Sequence, residues 1–153
     1  MARLPRAVLY DPELFGIALQ RAARLVRVKV DDFQDLRIWR WFTVAALRVV
    51  RLVFPNVVVP MAFSNPAYLR ELRAGLARFE PDVVHLCLVA PLEVVHERLR
   101  GRGSDPVRDE WQYRRAAECC AAHESDEFAV RVPTAGRDVG VIADGIETLL
   151  TGE

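Results

Sequence analysis

Two groups of residues have the types and spacing for chemistry. The first is Asp11, in the stretch "VLYDPELFG". It follows a short apolar run, Ala7 to Tyr10, that suits a buried strand. It also stands where Pro12 and Glu13 begin a helix. A carboxylate at such a junction can accept a hydrogen bond from a substrate hydroxyl, or take its proton as a general base. Asp-Pro-Glu is equally an ordinary helix start, and spacing alone does not separate the two roles. The second group is "HERLRGRGSDPVRDEWQYRR", where Arg98, Arg100, Arg102, Arg108, Arg114 and Arg115 surround a Gly-Gly-Ser-Pro break. A mobile flap lined with arginines suits phosphoryl transfer, which needs phosphate oxygens clamped and water excluded. The same stretch also reads as a solvated loop, neutralised locally by Glu97, Asp105, Asp109 and Glu110.

Other polar residues carry less. His85, His96 and His123 lack metal-ligand spacing, and the adjacent Cys119 and Cys120 form no zinc motif, so no metal site is expected. Ser64 lies in "AFSNP", which is not a nucleophile elbow, and reads as a loop or capping residue. Trp39 and Trp111 adjoin the two polar groups. Each is a candidate for core packing or for stacking on a ligand base.

The elements that must position these residues alternate. After the first strand and a helix to about Leu25, "DLRIWRWFTVAALRVVRLVF" predicts a long helix with Arg37, Arg40, Arg48 and Arg51 in one stripe about 80° wide. "VVVPMAF" predicts a strand, "AYLRELRAGLARF" a helix with Leu69, Leu72, Leu76 and Phe79 on one face, and "VVHLCLVA" a strand covered on both faces. Helices over 91–100 and 107–123 flank the flexible break "GRGSDP". "EFAVRV" is a last strand, and "VGVIADGIETLL" a last helix with residues 139, 142, 146 and 149 on its apolar face. Such an order implies an α/β fold, a parallel sheet with helices on both faces. Ligands on these sheets sit beyond the carboxyl ends of the strands, which selects Asp11, the Met61 loop, the Ala90 turn and Thr134.

Composition sets the outer limits. The 153 residues suit one domain, and 52% are hydrophobic. With 21 basic and 21 acidic residues the formal charge is zero, which gives no electrostatic case for nucleic acid as a partner. Nearly all the cations are arginine, whose forked donors suit phosphate; Lys29 is the single lysine. Three cysteines, two of them adjacent, make a poor disulfide framework, and "MARLPRAVLY" lacks the apolar core of a signal peptide. Both point to the cytoplasm. The Arg-striped helix leaves attachment to a membrane surface open as an alternative.

The motif G-x-x-x-x-G-K-[ST] is absent, since the one lysine lies in "VRVKVDD". Yet "VLYDPELFGIAL", "DDFQDLRIWRWF", "VVVPMAFSNPAYLREL" and "VVHLCLVAPLEVVHERLRGRG" follow one another in the order and spacing of the tunicamycin-resistance proteins. That family resembles small P-loop kinases of the nucleoside and nucleotide kinase type. The resemblance runs from about Leu4 to Leu150. It implies a single kinase-like domain over residues 1–153, with an Arg-rich lid at about 98–122. Members of the family begin with a strand, a Gly-Lys-Ser/Thr phosphate loop and a helix. Here "MARLPR" matches only the tail of that helix, so a unit of roughly 20–30 residues is expected to be missing before Met1.

The resemblance also implies roles. Asp11 looks like the substrate-side catalytic carboxylate. Asp32, Phe33, Gln34, Trp39 and Met61 look like the substrate pocket. Arg98, Arg102, Trp111, Arg115 and Thr134 look like the nucleotide side. ATP and Mg2+ are the implied cofactors, both dependent on the phosphate loop this chain lacks. After the lid Trp, the family places Gln four residues on, then Arg and Cys at seven and eight. Here those positions are Arg115, Glu118 and Cys119, so Glu118 reverses a charge. The expected function is an ATP-binding, kinase-like protein that binds or phosphorylates a nucleoside-like or hydroxylated small molecule. A binding remnant without catalysis is the alternative.

Overall fold

The computed structural model describes residues 6–12, 37–128 and 130–151. Asp32, Phe33, Gln34 and most of the helix expected before Leu25 lie outside the described residues. The fold is mixed α/β, with four strands in two parallel pairs and five helices among the described residues. The strands are β1 (Ala7–Leu9), β2 (Asn56–Val58), β3 (Cys87–Val89) and β4 (Arg131–Pro133). The helices are α1 (Arg37–Val53), α2 (Pro66–Leu76), α3 (Leu92–Gly101), α4 (Glu110–Ala122) and α5 (Val139–Thr151). The chain divides into two compact units. The first reaches to Ala62 and includes Ala67–Val83; the second holds Phe63–Pro66 and everything from Val84.

In the first unit β1 pairs with β2, Ala7 opposite Asn56 and Leu9 opposite Val58. Helix α1 buries Trp39, Thr43 and Leu47, one turn apart, together with Arg40. Helix α2 buries Leu69 and Leu72, two of the four expected face positions, and ends at Leu76. The two helices meet closely at Gly75, where an added Cβ would lie 2.8 Å from Val44 Cγ2. The Arg stripe of α1 is partly turned inward. Arg40 Nε donates to Glu71 at 2.7 Å, with its guanidinium 4.2 Å from the centre of the Tyr68 ring. Arg51 Nε donates to Glu80 at 2.5 Å. A buried arginine is tolerable because the carboxylate and the ring replace its water.

In the second unit β3 pairs with β4, Cys87 opposite Arg131 and Val89 opposite Pro133. Helices α3 and α4 form a hairpin in which the His96 and Tyr113 rings lie 5.0 Å apart. The strand expected over 127–132 begins later. Residues Asp126–Phe128 wind into a 3-10 turn instead, which sets the Phe128 ring 4.6 Å from His123 and 5.8 Å from His85. The expected face of α5 is only half realised, since Val139 and Leu149 are exposed.

The strands differ from expectation in one further respect. Among the described residues they pair two and two, where the element order implies a single sheet. Parallel strands ordinarily have both faces and both edges covered, yet Leu9 is 67% and Leu88 54% exposed. The strand read as covered on both faces buries only Cys87. Each described strand has a single strand partner, and a two-stranded sheet shields its residues on one side only.

Candidate functional site

The parallel register brings the carboxyl ends of β1 and β2 to the same edge of the first unit. The Tyr10 amide extends the pairing by donating to the Val58 carbonyl at 2.9 Å. Asp11 then leaves β1, and Met61 follows β2, so these two predicted residues emerge at one edge. Asp11 is exposed and Pro12 is buried. The Trp39 indole N–H donates to the Pro12 carbonyl at 3.2 Å. Trp39 itself is fully buried, and its ring packs behind the Asp11 turn. The Thr43 hydroxyl closes back on the Trp39 carbonyl at 2.9 Å and holds that turn of α1. Burial pushes the Tyr10 phenol above its ordinary value, so it stays neutral beside Asp11 at physiological pH.

In the second unit the carboxyl ends of β3 and β4 also share an edge. The Thr134 amide donates to the Val89 carbonyl at 2.9 Å, and its hydroxyl donates to the same oxygen at 3.1 Å. Arg98 reaches across from α3. Its Nη1 donates to the Thr134 hydroxyl at 3.0 Å and its Nη2 to the Thr134 carbonyl at 2.8 Å. Two residues predicted for the nucleotide side are therefore bonded to each other. The fork of Arg98 fixes the β4 turn with at least these two donors.

The break after α3 is tightly built. Gly103 adopts φ of +81°. Its amide donates to the Arg100 carbonyl at 2.9 Å, and the Ser104 amide to Leu99 at 3.1 Å, a Schellman stop that only glycine enters without strain. Beyond it Asp105 Oδ1 accepts from the amides of Val107 and Arg108, both at 2.9 Å. Arg108 Nη2 donates to Asp109 at 2.7 Å. That bond, with the Asp105 amide, holds the Asp109 carboxyl down at about 2. Arg102 and Trp111, the other lid residues, are exposed.

Arg115 donates to the Ser64 hydroxyl, 51 residues earlier, and comes within 3.8 Å of Glu118. His123 Nε2 lies 3.1 Å from the Phe63 carbonyl. A carbonyl only accepts, so the neutral ring carries its proton on Nε2. Helix α4 thus grips the Phe63–Pro66 segment at two points. Sequence spacing gives Ser64 only a loop or capping role and His123 no ligand pattern, because residues this far apart leave no periodic signal. Among the described residues no three His, Cys, Asp or Glu side chains stand together as a metal site. No helix among them is long and apolar enough to cross a membrane.

The predicted residues thus divide between two polar edges. Asp11 and Met61 mark the first unit, with Trp39 behind them. Arg98 and Thr134 mark the second, with Arg102, Trp111 and Arg115 on its α3–α4 hairpin.

No protein-family profile matches the chain. No curated protein matches it either. Among solved structures, the chain is similar to the tunicamycin resistance protein of Deinococcus radiodurans, with a TM-score of 0.77 and 27% identity. The match covers 97% of this chain and 84% of that one. The resemblance carried by the four sequence stretches is therefore shown at the level of the whole fold.

Proposed function

We propose that this chain is a resistance protein of the tunicamycin-resistance type, a kinase-like fold that binds a nucleoside-like or otherwise hydroxylated small molecule. The observation that carries the reading is the likeness to the tunicamycin resistance protein over 97% of the chain. The emergence of Asp11 and Met61 at one strand edge supports it. Asp11 would accept the hydrogen bond of a ligand hydroxyl through a carboxylate oxygen and orient that hydroxyl. Trp39 would keep the Asp11 turn in place.

ATP and Mg2+ belong to the proposal only through a phosphate loop that these 153 residues do not contain. The residues present do not by themselves fit that group. No Gly-Lys-Ser/Thr loop cradles a phosphate, and the described residues offer no cluster of metal ligands. Arg98 spends two donors on Thr134. We therefore derive no transfer step from this chain. A P-loop kinase-type fold is the finer reading, supported by the likeness to the tunicamycin resistance protein. A binding remnant without catalysis is favoured for the 153 residues alone by the missing loop.

Thermal shift with tunicamycin, a nucleoside panel and ATP·Mg2+ tests this. A nucleoside-type ligand should raise Tm, by the linkage of binding to folding, and Asp11→Asn should reduce the rise at least tenfold in apparent affinity. ATP·Mg2+ should leave the 153-residue chain unchanged. No rise with any nucleoside-type ligand would sink the reading.

A further inference from the structure

The chain that leaves β2 forms a short strap. Its first end is held at Val58, whose carbonyl accepts from the Tyr10 amide at 2.9 Å. Its second end is held at Phe63, which is buried and whose carbonyl faces the His123 ring. Only Val59, Pro60, Met61 and Ala62 lie between. Pro60 locks its own φ and confines Val59 to extended backbone. A strap so short and stiff leaves Met61 few conformations while both ends are fixed.

The second end is set from α4. Arg115 donates to the Ser64 hydroxyl, and His123, the residue that caps the end of the helix, holds the Phe63 carbonyl at 3.1 Å. The two grips fall within about 80° of each other around the helix, at about 100° per residue, so one side of α4 meets the loop. The Arg115 side chain is only 18% exposed. Glu118, one turn on, lies 3.8 Å from the same nitrogen. That is too far for a hydrogen bond, so the carboxylate offsets the charge without competing for the donor that Ser64 takes.

We propose that Arg115 and His123 are positioning residues for the candidate ligand edge: they hold Ser64 and Phe63, and through the strap they set where Met61 stands. The link is the chain itself, since Ala62 alone separates Met61 from Phe63. The edge then depends on α1 for Asp11, whose turn Trp39 holds, and on α4 for Met61. Arg115 and His123 act on a ligand without touching it, by keeping the strap in its binding shape before the ligand arrives. The inference rests on the proposed function for the part Met61 plays at that edge.

Nuclear magnetic resonance of the full chain, isotope-labelled at its methionine methyl groups, tests it. Methionine occurs only at positions 1 and 61, so Met61 has a signal of its own, assigned by Met61→Leu. Arg115→Ala and Ser64→Ala should each move or broaden that signal, and together by no more than either alone, because they break one bond. Arg115→Lys keeps a donor and should largely restore the signal; His123→Gln should do the same relative to His123→Ala. Arg114→Ala, at an exposed neighbour paired with Glu118, should leave the signal in place. Where the wild type binds tunicamycin or a nucleoside, Arg115→Ala should weaken that binding about fivefold or more, and Arg115→Lys by less than about twofold, the loss being one of pre-organisation. A Met61 signal unmoved in both Arg115→Ala and His123→Ala overturns the proposal, as does an equal change in Arg114→Ala. So does a moved signal with unchanged affinity. If the wild type binds neither tunicamycin nor any nucleoside, the proposed function fails, and the methyl signal by itself decides whether α4 sets Met61.

Discussion

Trp39 donates its indole N–H to the carbonyl of Pro12, 27 residues earlier in the chain. The bond joins the buried side of α1 to the turn that carries Asp11. It ties the first unit's strand edge to a fully buried residue of α1. Trp39→Phe keeps most of the volume but leaves a buried carbonyl unpaired, at a cost of about 1–3 kcal/mol. Trp39→Ala adds a cavity and should cost about 3–5 kcal/mol. Urea denaturation separates the two, and a Trp39→Phe variant as stable as the wild type would show that the hydrogen bond contributes nothing.

Gly75 is expected to resist the usual benefit of replacing a helical glycine. Alanine is better by about 1 kcal/mol in a helix interior. Here its Cβ would meet Val44 Cγ2 at 2.8 Å, and a β-branched side chain has little room to turn. Overpacking of this kind costs about 1–3 kcal/mol, so Gly75→Ala should be neutral to destabilising by roughly 2 kcal/mol. Gly75→Ala introduced into Val44→Ala should be stabilising. A double-mutant cycle reads the reversal, and additivity would remove the contact from the account.

The Arg98–Thr134 clamp uses the planar fork of a guanidinium on two acceptors of one residue. Lysine keeps the charge but cannot span both in that geometry. Arg98→Lys should therefore lose about 1 kcal/mol, close to one net hydrogen bond, and Arg98→Ala somewhat more. Faster amide exchange at Thr134 in both variants would confirm the clamp. Unchanged exchange would refute it.

The second unit should weaken in mild acid. Burial lowers the pKa of His123 below its ordinary 6.5, and the Phe63 carbonyl opposes the shift only in part. The unfolded chain therefore binds a proton more readily than the folded one. The His123 contribution is complete above about pH 6.5 and declines as pH falls through the folded value. Denaturation midpoints at pH 7.5 and 5.5 should differ for the wild type, and differ less for His123→Gln, which keeps a donor for the Phe63 carbonyl. An identical pH dependence in the two proteins would exclude His123 as the source.

Much of this architecture was legible in the residues. Helix starts at Pro66 and near Leu92, and the strands before Asp11 and Thr134 were readable within a turn or two, while "GRGSDP" reads only as a flexible break and its Schellman stop at Gly103 came from the structure. They are set by caps, periodicity and β-branched runs, all of which act over a few residues. The buried pair Leu69 and Leu72 followed from helical spacing in the same way. The late start of β4 did not, because the 3-10 turn before it is held by Phe128 between His85 and His123.

What the sequence by itself determined is the order and kind of the elements, the strand ends from which Asp11 and Thr134 emerge, and the resemblance now shown at the level of the fold. What only the tertiary structure decided is the partner of each polar side chain. Arg40 turns inward because Glu71 and Tyr68 await it. Arg98 closes on Thr134, Arg115 on Ser64 and Trp39 on Pro12. The strands pair two and two for the same reason. Each choice rests on groups 27 to 51 residues apart, where no local preference of the chain can specify which donor meets which acceptor.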